Sequence, residues 1–195
     1  MKERKGFTLV ELAIVLVIIG LLLGAVLKGQ ELIQNAKYKK LINDLQGLSA
    51  AVYTYYDRYK ALPGDDPKAG DKWGSTYSNI INGDGNGLIS GSPTSTTNTD
   101  ESVQIWRHLR AAGIISGNPN ESTVTRPSNP YGGRYGFSSR SFGSGTYNYI
   151  FIDNLPAEVA KRLDEEFDDG VYNTGSIQAN GDYTSGYSRD VYYRL

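Results

Sequence analysis

The longest apolar run of the chain lies close to its N-terminus. From Phe7 to Leu27 the only ionisable residue is Glu11. An α-helix rises about 1.5 Å per residue, so roughly 20 apolar residues cross the hydrocarbon core of a bilayer. The run has 21 residues. The pattern therefore predicts a membrane-spanning helix over residues 7–27.

The apolar pattern then changes to that of an amphipathic helix. Its apolar residues recur in steps of four and three, which places them on one helical face. We expect the helix to continue through residue 62 and to stop near Pro63-Gly64, because proline biases the preceding residue away from helix. The apolar face should pack against the residues that follow. It consists of Leu41, Leu45, Leu48, Val52, Tyr55, Tyr59 and Leu62.

Residues 63–195 mix helical and strand patterns, which predicts an α+β head packed on the long helix. Segments 63–100 and 116–146 are rich in Gly, Ser and Asn and are expected to be loops. The predicted elements are helices 101–113 and 156–167 and strands 147–152, 175–179 and 190–194.

Several single residues of the head carry their own predictions. Trp106 and Leu109 have helical spacing and should be buried. His108 is the only histidine; without an identifiable nucleophile it forms no triad, so we expect a surface or capping role. The consecutive acids of 164–169 should form a solvated face, although Asp168-Asp169-Gly170 could also ligate a cation.

Charge is divided unevenly along the chain. Residues 1–60 hold nine Lys and Arg and five Asp and Glu. Residues 61–195 hold eleven Lys and Arg and sixteen Asp and Glu. An acidic head argues against nucleic-acid binding through phosphate contacts. The chain has no cysteine, which excludes disulfides, thiolate nucleophiles and Cys-based metal sites.

A loop in the head imitates the first half of a calcium-binding loop. Oxygen-bearing side chains alternate at Asn82, Asp84 and Asn86, and Gly87 provides the sharp bend. The closing acid of such a loop would fall at Pro93, so another carboxylate must complete the shell. The ligands predicted here are Asn82, Asp84, Asn86, Leu88 and Glu101, with Asp65, Asp66 and Asp100 as further acids that could fold back. The alternative is a glycine-rich turn or hairpin without metal.

The residues before the membrane run suggest unusual processing. Residues 1–6 are polar, net basic and end in Gly6. The basic residues favour a cytoplasmic N-terminus. The later cluster Lys37, Lys39 and Lys40, about ten residues beyond the run, favours the opposite orientation of the membrane helix. An ordinary signal peptide is cut after its apolar core. A cut after Gly6 would instead leave the membrane helix on the mature chain.

Glu11 needs an explanation because a carboxylate within a membrane helix costs a few kcal/mol. It could lie near the interface, protonated or with its carboxylate reaching the headgroups. Alternatively, a cut between Gly6 and Phe7 would create an amine on Phe7, and a neighbouring subunit could bring such an amine to Glu11. That pairing would neutralise both charges and set the register between subunits.

Lys5-Gly6-Phe7-Thr8-Leu9-Val10-Glu11-Leu12 closely resembles the cleavage and methylation motif of type IV prepilins and type II secretion pseudopilins. In that family a membrane peptidase cuts after the glycine, here Gly6, and methylates the new amine, here Phe7. The glutamate, here Glu11, guides assembly. Unlike many members, this chain has no proline in the membrane helix; Gly20 and Gly24 could supply the helix weakness and close packing instead.

The resemblance implies a non-enzymatic filament subunit with a lollipop fold, a long helix packed on an antiparallel sheet. Expected partners are the prepilin peptidase, other pilin or pseudopilin subunits and an inner-membrane assembly platform. The chain would cross the bacterial inner membrane with its head in the periplasm before entering a pilus or pseudopilus. No cofactor is required, but calcium sites occur in pseudopilins.

Two other classes remain open from the sequence. The chain could be a single-span, membrane-anchored periplasmic binding protein that is neither cleaved nor polymerised. It could also be an anchored hydrolase using head carboxylates, although no coherent acid/base constellation is visible.

Overall fold

The computed structural model describes residues 8–142, 145–184 and 186–195. Contacts divide the chain into two compact units, Met1–Lys40 and Leu41–Leu195. The first unit holds the whole apolar run, whose residues from Leu9 to Leu27 are exposed. The second unit holds the core of the fold.

Helix α1 runs over Leu9–Tyr59. It ends at Tyr59 because the next residue, Lys60, has a φ of +55°, a left-handed conformation that cannot continue the helix. The helix therefore stops slightly before the expected Pro63-Gly64. In the second unit the predicted apolar face is confirmed, since Leu41, Leu45, Val52 and Tyr55 are almost completely buried.

The second unit contains one antiparallel sheet of four strands in the order β1-β2-β4-β3. Together with the helices it confirms the α+β fold and the antiparallel sheet. The strands are β1 Tyr135–Phe142, β2 Gly145–Pro156, β3 Ile177–Ala179 and β4 Ser188–Arg194. The other helices are α2 Ala69–Trp73, α3 Glu101–Ala111 and α4 Ala157–Phe167.

Two of these elements were not expected from the sequence. Strand β1 lies within the segment expected to be a loop. The sequence pattern did not indicate a strand because its glycine and serines mask the alternation of Tyr135 and Phe137, which are buried on one face. The short helix α2 lies in the other expected loop. The remaining helices and strands lie at their predicted places with shifted ends.

One face of the sheet packs against α1 and α3. The Tyr135 hydroxyl donates a hydrogen bond to Oδ2 of Asp44 on α1 at 3.1 Å. Trp106 of α3 is fully buried, and its ring centroid lies 4.9 Å from that of Phe137. Leu109 is also buried, so both burial predictions for α3 are confirmed.

Candidate functional site

The predicted cleavage and methylation residues, Gly6 and Phe7, lie outside the residues that the structure describes. The described chain begins at Thr8. The site at this end is therefore built from Thr8, which directly precedes α1, and Glu11 in the first turn of α1.

Thr8 and Glu11 form a reciprocal cap at the start of α1. Oε2 of Glu11 accepts hydrogen bonds from the Thr8 backbone N–H at 2.8 Å and from its hydroxyl at 2.9 Å. The Glu11 N–H donates to the Thr8 hydroxyl oxygen at 3.2 Å. This is the capping box, Ser/Thr-x-x-Glu/Gln, which satisfies amides that otherwise lack partners at a helix start. The sequence pattern Thr8-Leu-Val-Glu11 could have identified it.

The helix that follows this cap suits a membrane. Within the described residues, α1 is the one helix long and apolar enough to cross a bilayer. Its large side chains from Leu9 to Leu27 are about half exposed or more. Such an apolar surface is unfavourable in water but favourable in lipid or against other apolar helices.

A second candidate site brings together three carboxylates of the second unit. Asp65, Asp84 and Glu101 each offer an oxygen, and these oxygens lie within 4.8 Å of one another. Asp65 follows α1, Asp84 lies in the glycine-rich loop, and Glu101 begins α3. Asp65 and Glu101 are buried, whereas Asp84 is exposed. We call these three residues the carboxylate cluster.

Asp65 organises the glycine-rich loop around its carboxylate. Oδ1 accepts hydrogen bonds from the N–H groups of Gly85 at 2.7 Å and Asn86 at 3.1 Å, and Oδ2 accepts one from Gly87 at 2.8 Å. Burial raises the pKa of Asp65 to about 6, against the lowering effect of these amides and with a further raising effect from Asp84 and Glu101. The cluster therefore concentrates negative charge that its own amides only partly offset.

Glu101 holds the same loop from the other side. Its Oε1 accepts a hydrogen bond from the Asp84 N–H at 3.0 Å, and its Oε2 accepts one from the Ser90 N–H at 2.8 Å. The loop of residues 84–90 is thus tied at both ends to the first residue of α3. Arranged oxygens of this kind suit a hard cation such as Ca²⁺.

The predicted ligands divide into two groups in the structure. Asp84 and Glu101 belong to the carboxylate cluster, together with Asp65, which the sequence suggested only as a residue that could fold back. The Asn82 side-chain oxygen accepts a hydrogen bond from the Gly70 N–H at 2.7 Å. The Asn86 amide donates to Asp84 Oδ2 at 2.8 Å, and its oxygen accepts the Leu88 N–H at 2.7 Å.

The prediction for His108 was wrong. The residue is fully buried: Nδ1 accepts a hydrogen bond from the Gly64 N–H at 2.9 Å, and Nε2 lies 3.0 Å from the Ile81 carbonyl oxygen. Burial lowers its pKa to about 4 despite the bond to Ile81. The neutral ring therefore connects α3 to Gly64, which precedes Asp65, and to Ile81, which precedes Asp84 by three residues.

The expected solvated face at 164–169 is also partly wrong. Asp164 is fully buried; it accepts hydrogen bonds from the Tyr183 hydroxyl at 2.5 Å and the Gly170 N–H at 3.2 Å. Asp164, Asp168 and Asp169 form a second group of close carboxylates. Asp168 accepts the N–H of Ile177 at 2.7 Å, so this group closes the turn between α4 and β3.

Comparison with known proteins identifies the N-terminal segment. Residues 1–27 match the sequence model of the prokaryotic N-terminal methylation motif. No curated protein and no solved structure matches the chain. The matched segment contains Gly6, Phe7 and Glu11 and includes the apolar first part of α1, Leu9 to Leu27. The motif marks the N-terminal segment as that of a type IV pilin-like prepilin or pseudopilin, and the long apolar helix fits this class.

Proposed function

We propose that this protein is a structural subunit of a type IV pilus or a type II secretion pseudopilus. The observation that carries the proposal is the methylation motif placed directly at the start of a bilayer-length helix. The prepilin peptidase cuts after Gly6 and methylates the amine of Phe7. The assembly platform then extracts the helix from the inner membrane into the filament.

Glu11 has two separable tasks in this proposal. Its Oε2 caps α1 through Thr8. Its negative charge pairs with the Phe7 amine of a neighbouring subunit, which offsets the cost of placing either charge alone in an apolar helix bundle. The cap depends on hydrogen-bond acceptance, whereas the pairing depends on charge.

Substitution at position 11 separates the two tasks. Glu11→Gln keeps the capping-box geometry, because Gln serves in that motif as well as Glu, but removes the charge. We expect the variant to be inserted and cleaved, and to be lost from the sheared filament fraction. Thr8→Val removes the two cap hydrogen bonds made by the hydroxyl, keeps the backbone N–H bond and the Glu11 charge, and should still assemble. Glu31→Gln is the matched control, an exposed glutamate on the same helix.

Wild-type amounts of filament from Glu11→Gln would contradict the pairing and leave Glu11 as a helix cap only. A chain that keeps Met1 in cells with an active prepilin peptidase would favour the anchored, unpolymerised binding protein instead.

We propose further that the carboxylate cluster binds Ca²⁺ and thereby fixes the glycine-rich loop. The support is the burial of Asp65 and Glu101 beside Asp84, because close carboxylates in a low-dielectric site repel one another unless a cation or proton intervenes. Asn82, Asn86 and Leu88 remain proposed ligands, supplied through side-chain or backbone oxygens once the ion is present.

Thermal unfolding of the full chain in detergent tests this proposal. Both tryptophans, Trp73 and Trp106, lie in the second unit, so their fluorescence follows its unfolding. A hundredfold excess of Ca²⁺ over its dissociation constant should stabilise the folded state by about 2.7 kcal/mol. Asp84→Asn should remove most of the shift, and the exposed Asp71→Asn should leave it unchanged. An unfolding temperature that does not respond to Ca²⁺ would contradict the site.

A further inference from the structure

Three asparagines of the chain are each followed directly by glycine: Asn82, Asn86 and Asn180. Because glycine has no side chain, its backbone nitrogen is open to the side-chain carbonyl carbon of the asparagine before it. Attack of that nitrogen on the carbon closes a succinimide ring and expels ammonia. The three pairs share this local chemistry, so any difference in their reactivity must come from the fold.

The fold places a carboxylate against the attacking nitrogen of one pair. The Gly87 N–H donates a hydrogen bond to Oδ2 of Asp65 at 2.8 Å. Asp65 is buried, and its Oδ1 accepts the N–H groups of Gly85 and Asn86, so the position of its carboxylate is fixed. A positioned carboxylate that accepts the proton of an attacking group acts as a general base.

The side-chain amide of Asn86 is held at both of its ends. Its oxygen accepts the Leu88 N–H at 2.7 Å, and its nitrogen donates to Oδ2 of Asp84 at 2.8 Å. The two partners also fix which end is the oxygen, because a backbone N–H only donates and an ionised carboxylate only accepts. Negative charge develops on this oxygen when the carbon is attacked. The Leu88 N–H therefore stands where an oxyanion-hole donor is needed.

The other two pairs have different surroundings. The Gly83 N–H donates to the backbone carbonyl oxygen of Asp66 at 2.9 Å, and a carbonyl oxygen is a far weaker base than a carboxylate. The side chain of Asn180 is bonded at both ends to Asp190. Among the described residues, Asn86 is the one asparagine of the three whose following amide donates to a carboxylate.

We propose that Asn86 is a self-modification site, at which the chain converts this asparagine to an aspartyl or isoaspartyl residue. The Gly87 nitrogen bonds to the side-chain carbon of Asn86, and the bond from that carbon to Nδ2 breaks. The proton of the Gly87 N–H passes through Asp65 and leaves with Nδ2 as ammonia. Water then opens the succinimide at either carbonyl, which gives the two products. The reaction needs only water and does not depend on the proposed filament function.

The new carboxylate changes the loop beside the carboxylate cluster. The Nδ2 of Asn86 donates to Oδ2 of Asp84 in the unmodified chain, whereas two carboxylates face each other after the reaction. Like charges this close repel one another. A fourth carboxylate thereby joins those of Asp65, Asp84 and Glu101. In a chain without a bound cation, the modification should therefore loosen the loop.

Peptide mass spectrometry of the full chain tests the site. The chain is incubated in detergent at neutral pH with a chelator, and conversion at all three asparagines is followed over time in one sample. Asn86 should convert several-fold faster than Asn82 and Asn180. In urea-denatured chain the three should convert at similar rates, because they share the Asn-Gly sequence. A native chain in which Asn86 reacts no faster than the other two overturns the proposal.

Substitution of the carboxylate tests the role of Asp65. Asp65→Asn should lower the rate at Asn86 to that of the other two pairs, and the exposed Asp71→Asn should leave it unchanged. Cooperative unfolding followed by tryptophan fluorescence shows whether each variant is folded. A folded Asp65→Asn chain that converts Asn86 at the wild-type rate overturns the assignment of Asp65. The comparison of the three pairs in the wild type does not require this variant.

Asn86→Asp has the sequence of the aspartyl product and tests the consequence for the loop. Its unfolding temperature in the presence of a chelator should be lower than that of the wild type. Asn118→Asp is the matched control, since Asn118 is exposed and its oxygen also accepts an N–H two residues further on, that of Asn120 at 2.9 Å. An Asn86→Asp chain as stable as this control would overturn the loosening of the loop.

Discussion

His108 connects three segments around the carboxylate cluster. Its Nδ1 holds the Gly64 amide one residue before Asp65, and its Nε2 faces the Ile81 carbonyl oxygen shortly before Asp84. Its ring is stacked on that of Tyr55 of α1, with the two ring centroids 6.2 Å apart. A protonated ring could not accept the Gly64 N–H, so this connection requires the neutral form.

The titration of His108 should make the second unit sensitive to acid. Its folded pKa, about 4, lies below the ordinary value of 6.5. The unfolded chain therefore takes up a proton first. The contribution to stability is complete above about pH 6.5 and is lost as the pH falls toward 4. Between about pH 7 and about pH 4 the loss amounts to about 3 kcal/mol.

Denaturant unfolding of the wild type and of His108→Asn across this pH range measures the effect. The asparagine can still accept the Gly64 N–H but does not titrate. Asp65 acts in the opposite direction in both proteins: its raised pKa of about 6 gives stability that is full below its ordinary 3.8 and lost as the pH rises. Only the difference between the two proteins reports on His108, and equal pH profiles would refute the assignment.

At the scale of residues, the sequence identified a functional position where the residue type did not fit its immediate neighbours. Glu11 stood out because a charge interrupts an apolar run. His108 and Asp65 gave no such signal, because their partners, Gly64, Ile81 and the loop amides, are fixed by the folding of distant segments. Burial of a polar residue depends on partners that a local pattern does not contain.

At the scale of elements, the glycine-rich loop closes only because Gly83 has no side chain. A Cβ at this position would lie 2.4 Å from the backbone of Asp65 and 2.5 Å from the Gly64 carbonyl oxygen. These are backbone atoms of two adjacent residues, which cannot move away at low cost. Gly83→Ala should therefore displace the loop from Asp65 and lower the unfolding temperature of the second unit, as followed by tryptophan fluorescence.

Gly47→Ala is the matched control on α1. A Cβ at Gly47 meets no atom within 4 Å, and alanine is favoured over glycine within a helix by up to about 1 kcal/mol. The control should raise the unfolding temperature. A Gly83→Ala chain as stable as the wild type would mean that the loop does not pack on Asp65 as described.

The elements that the sequence predicted are those whose own residues show a clear helical spacing or a clear run of strand-forming residues. Helix α1 repeats apolar residues in steps of three and four, and strand β2 carries consecutive large β-formers. Strand β1 instead depends on pairing with β2 over its full length, from Tyr135 with Ile152 to Phe142 with Gly145. Its serines and glycine adopt strand conformation because of that pairing, and the local sequence of β1 does not indicate the pairing.

At the scale of the whole molecule, the two units have different chemistry. The first unit presents an exposed apolar helix suited to lipid or to other helices. The second unit buries its core and carries the carboxylate cluster on one α+β fold. The motif in residues 1–27 indicates a type IV pilin-like, prepilin-processed protein. The surfaces of the second unit required the structure, since their residues come from distant parts of the chain.

We propose that the chain is cleaved between Gly6 and Phe7 and built into a filament. Mass spectrometry of the N-terminal peptide, from chain recovered in the sheared filament fraction, tests it most directly. The expected peptide begins at Phe7 and carries one added methyl group on its amine, with residues 1–6 absent. A peptide that begins at Met1, in cells with an active prepilin peptidase, would contradict it.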